Sequence, residues 1–283
     1  MQSAVQSAPV ATVPRSYLFV PGDRLDRLDK ALATDADIVI IDLEDAVPPD
    51  RKAAARAALL ASKFPRERVW VRVNASDVAC HADDVQAALQ AGVAGVVLPK
   101  AEDPDAIAQL AARLSGDTQI VALVETALGV WQALDVARSP KVCRLAFGSL
   151  DFKLDAGIHG DGLELLYARS RLVLASRVAG LPAPIDGVTT ALNDAGAIER
   201  DAQAARRLGF GAKLCIHPSQ VAAVNNAMLP SDAEFAWAEA VLAATAGTTG
   251  AAVSMNGQMV DRPEIERAAR IAQSRHLRNP RSQ

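Results

Sequence analysis

Eight times along this chain a short apolar run closes on a polar or charged residue and gives way to an alanine-rich stretch. The runs are SYLFVP (16–21), DIVIIDLED (37–45), RVWVRVN (68–74), GVVLPK (95–100), QIVALVE (119–125), RLAFGSLD (144–151), APIDGV (183–188) and KLCIHP (213–218). Most are dense in Val, Ile and Leu without strict alternation, as expected of parallel strands covered on both faces. Helices are predicted between them at about 24–34, 50–63, 82–91, 104–114, 128–138, 163–179, 194–208 and 218–228. Pro104 suits a first helical turn, and Gly92, Gly180 and Gly209 sit where helices should stop. Eight strand–helix units over residues 15–230 predict an α/β chain closed as a (β/α)8 TIM barrel, with an open doubly wound sheet as runner-up. Residues 1–14 read as a loose tail and 231–283 as a C-terminal helical extension. Within the extension, helices are predicted near 231–246 and 263–274, joined by TAGTTGAAVSMNG (245–257), which has linker composition, and HLRNPRSQ (276–283) reads as frayed.

Composition narrows the function classes. Half the residues are apolar and 22% are charged, which suits a globular chain and not a disordered one. Thirty Lys and Arg against 33 Asp and Glu leave a net charge of −3, which argues against nucleic acid as a partner. Cys80, Cys143 and Cys215 are far apart and form no CxxC pair, so neither a zinc site nor a disulfide framework is expected and a cytoplasmic setting is the default. The start, MQSAVQSAPVATVPR, lacks the charge and apolar core of a secretion signal. The uncharged run 240–260 is built from small residues and makes a poor membrane span, so no membrane partner is expected. No GxGxxG or GxxxxGK[ST] string follows a strand, which leaves nucleotide phosphates without a cradle.

What ends each run is the chemical signal: Asp42, Glu44 and Asp45, then Arg72 and Asn74, Lys100, Glu125, Asp151, Asp186 and His217. In TIM barrels the active site lies at the C-terminal face, assembled from several strands. One polar residue closing a strand is ordinarily the start of a solvated loop. Nearly every strand closing this way, with carboxylates converging, is a different matter. Converging carboxylates repel and raise one another's pKa unless a cation sits between them. Mg²⁺, which takes one or two carboxylates plus water and substrate oxygens, resolves this, and Glu125 and Asp151, closing adjacent strands, are predicted to share it. Arg72 offers a fixed fork for a substrate carboxylate or oxyanion, or an ion pair with Glu44 that steadies the mouth, and the two are compatible.

The strings RSYLFVPGD (15–23), DIVIIDLEDAV (37–47), VRVN (71–74), VVLPKAE (96–102), ALVETALGV (122–130), LAFGSLDF (145–152), GFGAKLCIHPSQ (209–220) and NGQMVDRPEIERA (256–268) resemble, in order, the citrate lyase beta subunit family. That family groups the beta subunit with malyl-CoA lyases and related barrels. The resemblance implies a (β/α)8 barrel, a Mg²⁺ ion, and carbon–carbon bond cleavage or formation on 3-hydroxy-acyl thioesters carried by CoA or an acyl carrier. It implies Glu125 and Asp151 as metal ligands and Arg72 as a substrate contact. Glu44 and Asp45 are implied as outer groups holding metal-bound water or Arg72. Phe19, Arg24 and Lys30 are implied to line the thioester arm site, although Arg24 and Lys30 also read as helix-surface charges. His217 is read both as an acyl contact and as an ordinary strand-end histidine. NGQMVDRP resembles the family's C-terminal lid, in which an Asp from a neighbouring subunit completes the site. That position is Asp261, which by itself reads as a helix N-cap before Arg262 and Pro263.

The expectation is a Mg²⁺-dependent retro-Claisen lyase acting on a citryl-, malyl- or citramalyl-CoA type thioester. In it Glu125 also contacts substrate, Asp261 exchanges the enolate proton, and Glu44 assists. Three alternatives stand beside it: a metal aldolase of free 2-keto acids, a malyl-CoA thioesterase, and a citrate lyase beta subunit inactive without its partners. A tail that completes a neighbour's site implies a closed oligomer, and the family leans toward trimers, sometimes stacked as hexamers.

Overall fold

The computed structural model describes residues 13–192, 194–246, 253–255 and 258–275. The expectations for residues 1–12, for most of the 245–257 linker and for 276–283 lie outside them. All eight strands form: β1 (Ser16–Pro21), β2 (Ile38–Asp42), β3 (Val69–Arg72), β4 (Gly95–Leu98), β5 (Gln119–Val124), β6 (Val142–Phe147), β7 (Ile185–Asp186) and β8 (Ala212–Cys215). Each pairs in parallel with the next, and β8 returns to β1, closing the barrel. The open sheet is thereby excluded.

Around the strands run α1 (Leu28–Leu32), α2 (Lys52–Ala61), α3 (His81–Ala91), α4 (Pro104–Arg113), α5 (Ala127–Trp131), α6 (Ala133–Arg138), α7 (Ser149–Ala156), α8 (Leu166–Ala179), α9 (Ala195–Leu208) and α10 (Val221–Ala227). Gly92, Gly180 and Gly209 end α3, α8 and α9 in the left-handed region, which glycine enters without steric cost. The helix expected at 128–138 divides at Gln132. One helix is new. The run 144–151 reads as a strand to its end, but β6 stops at Phe147 and Gly148 leads into α7. Only Ser149 and Phe152 of α7 are buried, so the segment carries no apolar stripe to announce a helix.

Strand alternation builds the interior. Tyr17, Ile38, Ile40, Trp70, Val97, Val121, Leu123, Ala146, Ile185, Ala212 and Leu214 form one buried cluster. Gly95 leaves the space the Trp70 ring fills, since a Cβ there would stand 2.4 Å from it. Residues two apart share a face of a strand. The next inward positions after Ile40, Trp70 and Leu123 are therefore Asp42, Arg72 and Glu125, at the C-terminal mouth. Register places Asp42 directly beside Arg72.

The barrel unit spans Val13–Asn225, and a second compact unit takes in the chain from Asn226, with α10 running across the division. The second unit packs α11 (Asp232–Thr245) on α12 (Arg262–Gln273) beside the hairpin β9 (Val253–Met255) and β10 (Gln258–Val260). Its core is Phe235, Ala238, Val241, Val260, Ala268 and Ile271, and α11 starts on a Ser231–Glu234 capping box. Among the described residues no helix is long and apolar enough to cross a membrane.

Candidate active site

Arg72 organises the barrel mouth. Its Nε and Nη2 donate to the two Asp42 oxygens at 2.7 and 2.6 Å, the parallel two-point pairing that matches guanidinium to carboxylate. Nη1 lies 2.8 Å from Glu44 Oε2, an ion pair outside hydrogen-bond alignment, and 3.7 Å from Asp45 Oδ2. The guanidinium carbon stands 4.9 Å from the centre of the Phe19 ring. Asp42 also accepts from the N–H groups of Glu44 at 2.9 Å and Ala46 at 3.3 Å, which ties the loop after β2 to the arginine. The expected Glu44 pairing is present, but the main partner is Asp42. Burial works against the Arg72 charge, and Asp42, Glu44 and Asp45 outweigh it, holding the guanidinium protonated above its ordinary range.

Glu125 follows β5 directly, at the point where Thr126 caps α5 by accepting the Gly129 N–H at 3.0 Å. Its side chain is buried, and its Oε1 accepts the Lys100 backbone N–H at 2.9 Å. Lys100 stands at φ 47°, in a region that L residues seldom enter; it meets Glu125 through its backbone N–H, while its side-chain charge works against the rise of the Asp151 pKa. Opposite Oε2 is Gly148, where a Cβ would stand only 2.4 Å away. The glycine that breaks β6 from α7 is thus the residue that makes room for the carboxylate. Asp151 lies in the first turn of α7, half-buried, and not at a strand end.

These acids strain against one another. Burial pushes Glu125 up to about 8, with the Glu44 charge adding to it. Burial also lifts Glu44 to about 7 against the pull of Arg72, and burial and Asp45 raise Asp151. Phe19, Asp42, Asp45, Arg72, Glu125, Gly148 and Asp151 all line one cavity of about 400 Å³. An oxygen-only pair, raised by mutual repulsion and burial, fits a hard divalent cation. Among the described residues no group of three His, Cys, Asp or Glu is placed to hold an ion unaided, so a cation on this pair would need further oxygen ligands from water or substrate.

The metal-free protein retains protons on Glu44 and Glu125 that the unfolded chain releases near 4.5. Their contribution to stability is therefore full below that pH and declines as pH rises through about 7 and about 8. A divalent cation held by Glu125 would have to displace its proton, so the affinity of such a cation is expected to rise about tenfold per unit from pH 6 to pH 8 and then level off. Calorimetry in buffers of different ionisation enthalpy would show the released proton. A flat affinity over that range would remove Glu125 from the ligand set.

Other expected site residues are not gathered here. Arg24 is exposed and engaged by Asp26 at 2.9 Å through two nitrogens. Lys30 is exposed, and neither it nor Arg24 lines the cavity. His217 is also exposed, caps the turn Pro218–Gln220 and bonds Ser219 Oγ through Nδ1 at 2.7 Å, away from the lining. Asp186 is spent on structure, paired with Arg169 at 3.1 Å and with buried Lys213 at 3.2 Å. Asn74 likewise accepts from Lys52 and donates to Asp84. Asp261 belongs to the second unit and holds the N-cap position of α12. Its side chain makes no capping hydrogen bond, contrary to the plain reading of the sequence.

Residues 15–218 match the HpcH/HpaI aldolase/citrate lyase family. A citrate lyase subunit beta-like protein of Deinococcus radiodurans is 42% identical over 93% of this chain and 97% of its own length. A (3S)-malyl-CoA thioesterase of Cereibacter sphaeroides is 34% identical over 81% of this chain and 82% of its own. Among solved structures, protein CitE from Mycobacterium tuberculosis, in complex with magnesium, acetoacetate and coenzyme A, superposes with a TM-score of 0.85. It is 35% identical, and the match covers 93% of this chain and 98% of that one.

Proposed function

This chain belongs to the HpcH/HpaI aldolase/citrate lyase family, and from that membership we propose that it is a magnesium-dependent carbon–carbon lyase. The reaction is the reversible retro-Claisen cleavage of a 3-hydroxy-acyl thioester, of the citryl-, malyl- or citramalyl-CoA type, to an acetyl thioester and a keto acid. One observation carries the reading: buried Glu125, half-buried Asp151 and an Arg72 locked by Asp42 line a single small cavity at the barrel mouth.

In this reading Glu125 and Asp151 hold the magnesium; the complex of the similar CitE protein with magnesium supports the choice of ion. When bound, the ion supplies a Lewis acid for the carbonyl oxygen that forms as the bond breaks. Arg72 turns Nη1 toward the negative charge that builds on the thioester oxygen, and Asp42 and Glu44 keep it from swinging away. Phe19 covers the guanidinium and walls the acyl end. Arg24 and Lys30 follow the same turn on the surface, where a long carrier arm would lie, and His217 waits at the rim. Asp261, free of capping duty, moves the proton at the enolate carbon, and the second unit serves as the lid that carries it to a neighbouring subunit's site.

The deciding experiment incubates the purified chain with Mg²⁺ and a panel of 3-hydroxy-acyl-CoA esters, following keto acid and free thiol separately. Keto acid without free thiol is expected. Free thiol without keto acid would instead make the chain a thioesterase, the activity named for the Cereibacter relative. Keto acid only from free aldol substrates would remove the thioester.

A closed homotrimer, the second part of the proposal, draws support from the barrel's exterior. Leu128 and Trp131 on α5, Leu154 on α7, and Tyr167, Leu174 and Val178 on α8 are all exposed, and α5 touches both other helices. Trp131 is 71% and Leu154 83% exposed, far more apolar surface than a lone subunit ordinarily leaves in water. Light scattering is expected to give about three times the 29.7 kDa chain mass, and Trp131→Glu is expected to give single chains. A monomeric wild type would end this part of the reading.

A further inference from the structure

Glu125 and Asp151 ride on different elements, and one exposed side chain ties those elements together. Resting on the magnesium reading above, we infer that Asp155 is a positioning residue: it latches α7 to the start of α5 and so fixes how Asp151 is aimed relative to Glu125. Its Oδ2 accepts the Ala127 backbone N–H at 2.7 Å. Ala127 opens α5 two residues after Glu125, and Asp155 follows Asp151 by four, one turn along the same side of α7. At the other end of the helix the Gly148 N–H donates to Val124 O at 2.9 Å, beside Glu125. Asp151 thus lies between two ties, the first at the glycine that precedes α7 and the second at Asp155.

The second tie matters because α7 is thinly packed. Of its side chains only Ser149 and Phe152 are buried, both in its first four residues, with the Phe152 ring 5.4 Å from that of Phe147. Past that point Leu154 is 83% exposed. Nor does Asp155 suit its own helix. A carboxylate in the last turn stands against the negative end of the helix dipole, so the residue is a poor local choice for α7. Across the gap it meets a first-turn N–H of α5, a donor with no partner inside its own helix. Thr126 already serves the Gly129 N–H and leaves Ala127 to Asp155. Magnesium demands near-octahedral geometry at about 2.0–2.1 Å, whereas calcium accepts looser arrangements at about 2.3–2.6 Å. An α7 free to pivot about its first turn would therefore weaken magnesium far more than calcium.

The test titrates MgCl₂ and, separately, CaCl₂ into the full chain by calorimetry, for the wild type, Asp155→Ala and Asp155→Asn. Asp155 and Ala127 are both exposed, so neither substitution strands a buried group. Asp155→Ala is expected to weaken magnesium by about fivefold or more and calcium by less than about twofold. Asparagine drops the charge but keeps an oxygen for the Ala127 N–H, so Asp155→Asn is expected to stay within about twofold of the wild type for both ions. A purely structural role would instead lower the melting temperature or weaken both ions alike. Wild-type magnesium affinity in Asp155→Ala, equal losses for the two ions, or an asparagine variant as weak as the alanine one would each overturn the inference while leaving the lyase reading intact. A wild type that binds no magnesium at millimolar concentration would end both. If the two ions separate as expected but no thioester is cleaved, the lyase reading fails and the inference stands.

Discussion

Glu125→Gln is expected to weaken magnesium binding by at least on the order of 10², because altering even the outer partners of a metal ligand typically costs 10–100-fold. Keto-acid release should fall with it and should not recover at any practical magnesium concentration. The substitution isolates charge. Glutamine keeps the length of the side chain and an oxygen for the Lys100 N–H at 2.9 Å, and it fits the space that Gly148 leaves. It also removes a carboxyl group whose ionisation burial has pushed up to about 8, so the metal-free variant should unfold no earlier than the wild type at pH 8. Loss of magnesium binding with a retained or raised melting temperature is the expected pair. Wild-type magnesium affinity in this variant would sink both the metal site and the mechanism built on it.

The second large effect is at Arg72. Removing a preorganised donor aimed at developing negative charge costs on the order of 10²–10³ in rate. Arg72→Lys should lose that much in kcat while magnesium affinity changes little. Lysine keeps a positive charge near Asp42 but cannot reproduce the two-point pairing at 2.7 and 2.6 Å or hold a third nitrogen toward the substrate. Arg72→Ala is the poorer experiment. It strands Asp42 and Glu44, 2% and 8% exposed, without their cation, and breaking a buried pair costs about 3–5 kcal/mol. An inactive alanine variant would leave folding and chemistry tangled. A lysine variant that melts like the wild type and turns over at more than a tenth of its rate would remove Arg72 from catalysis.

The strands show how far local pattern reaches. SYLFVP forms β1 from end to end, and Asp42, Arg72 and Glu125 fall at the mouth because the two-residue step of Ile38–Ile40, Trp70 and Val121–Leu123 carries them inward. That step was legible, but it puts Asp42 and Glu44 on the same face, and only the register of β2 against β3 sets Asp42 beside Arg72. α7 was not legible. Its residues bury so little that nothing marks them as helical, and reading the 144–151 run as one strand places Asp151 on the wrong kind of element. Asp186 illustrates the opposite error. It closes β7 as the pattern requires, yet Arg169 and Lys213, distant in sequence, consume its charge inside the barrel wall.

Apolar periodicity and strand-closing residues therefore sufficed to indicate eight parallel strands and the face on which acids and an arginine would meet, because burial of a strand's two faces is a local demand written into every run, while closure over an open sheet was decided by the pairing of β8 with β1. The ordered strings added the family. Which acid grips Arg72, that Gly148 clears the space for Glu125, and that the Lys100 N–H meets Glu125 were decided by tertiary structure alone. Those facts depend on how side chains from separate strands share one small volume, and no single run contains its neighbours' distances.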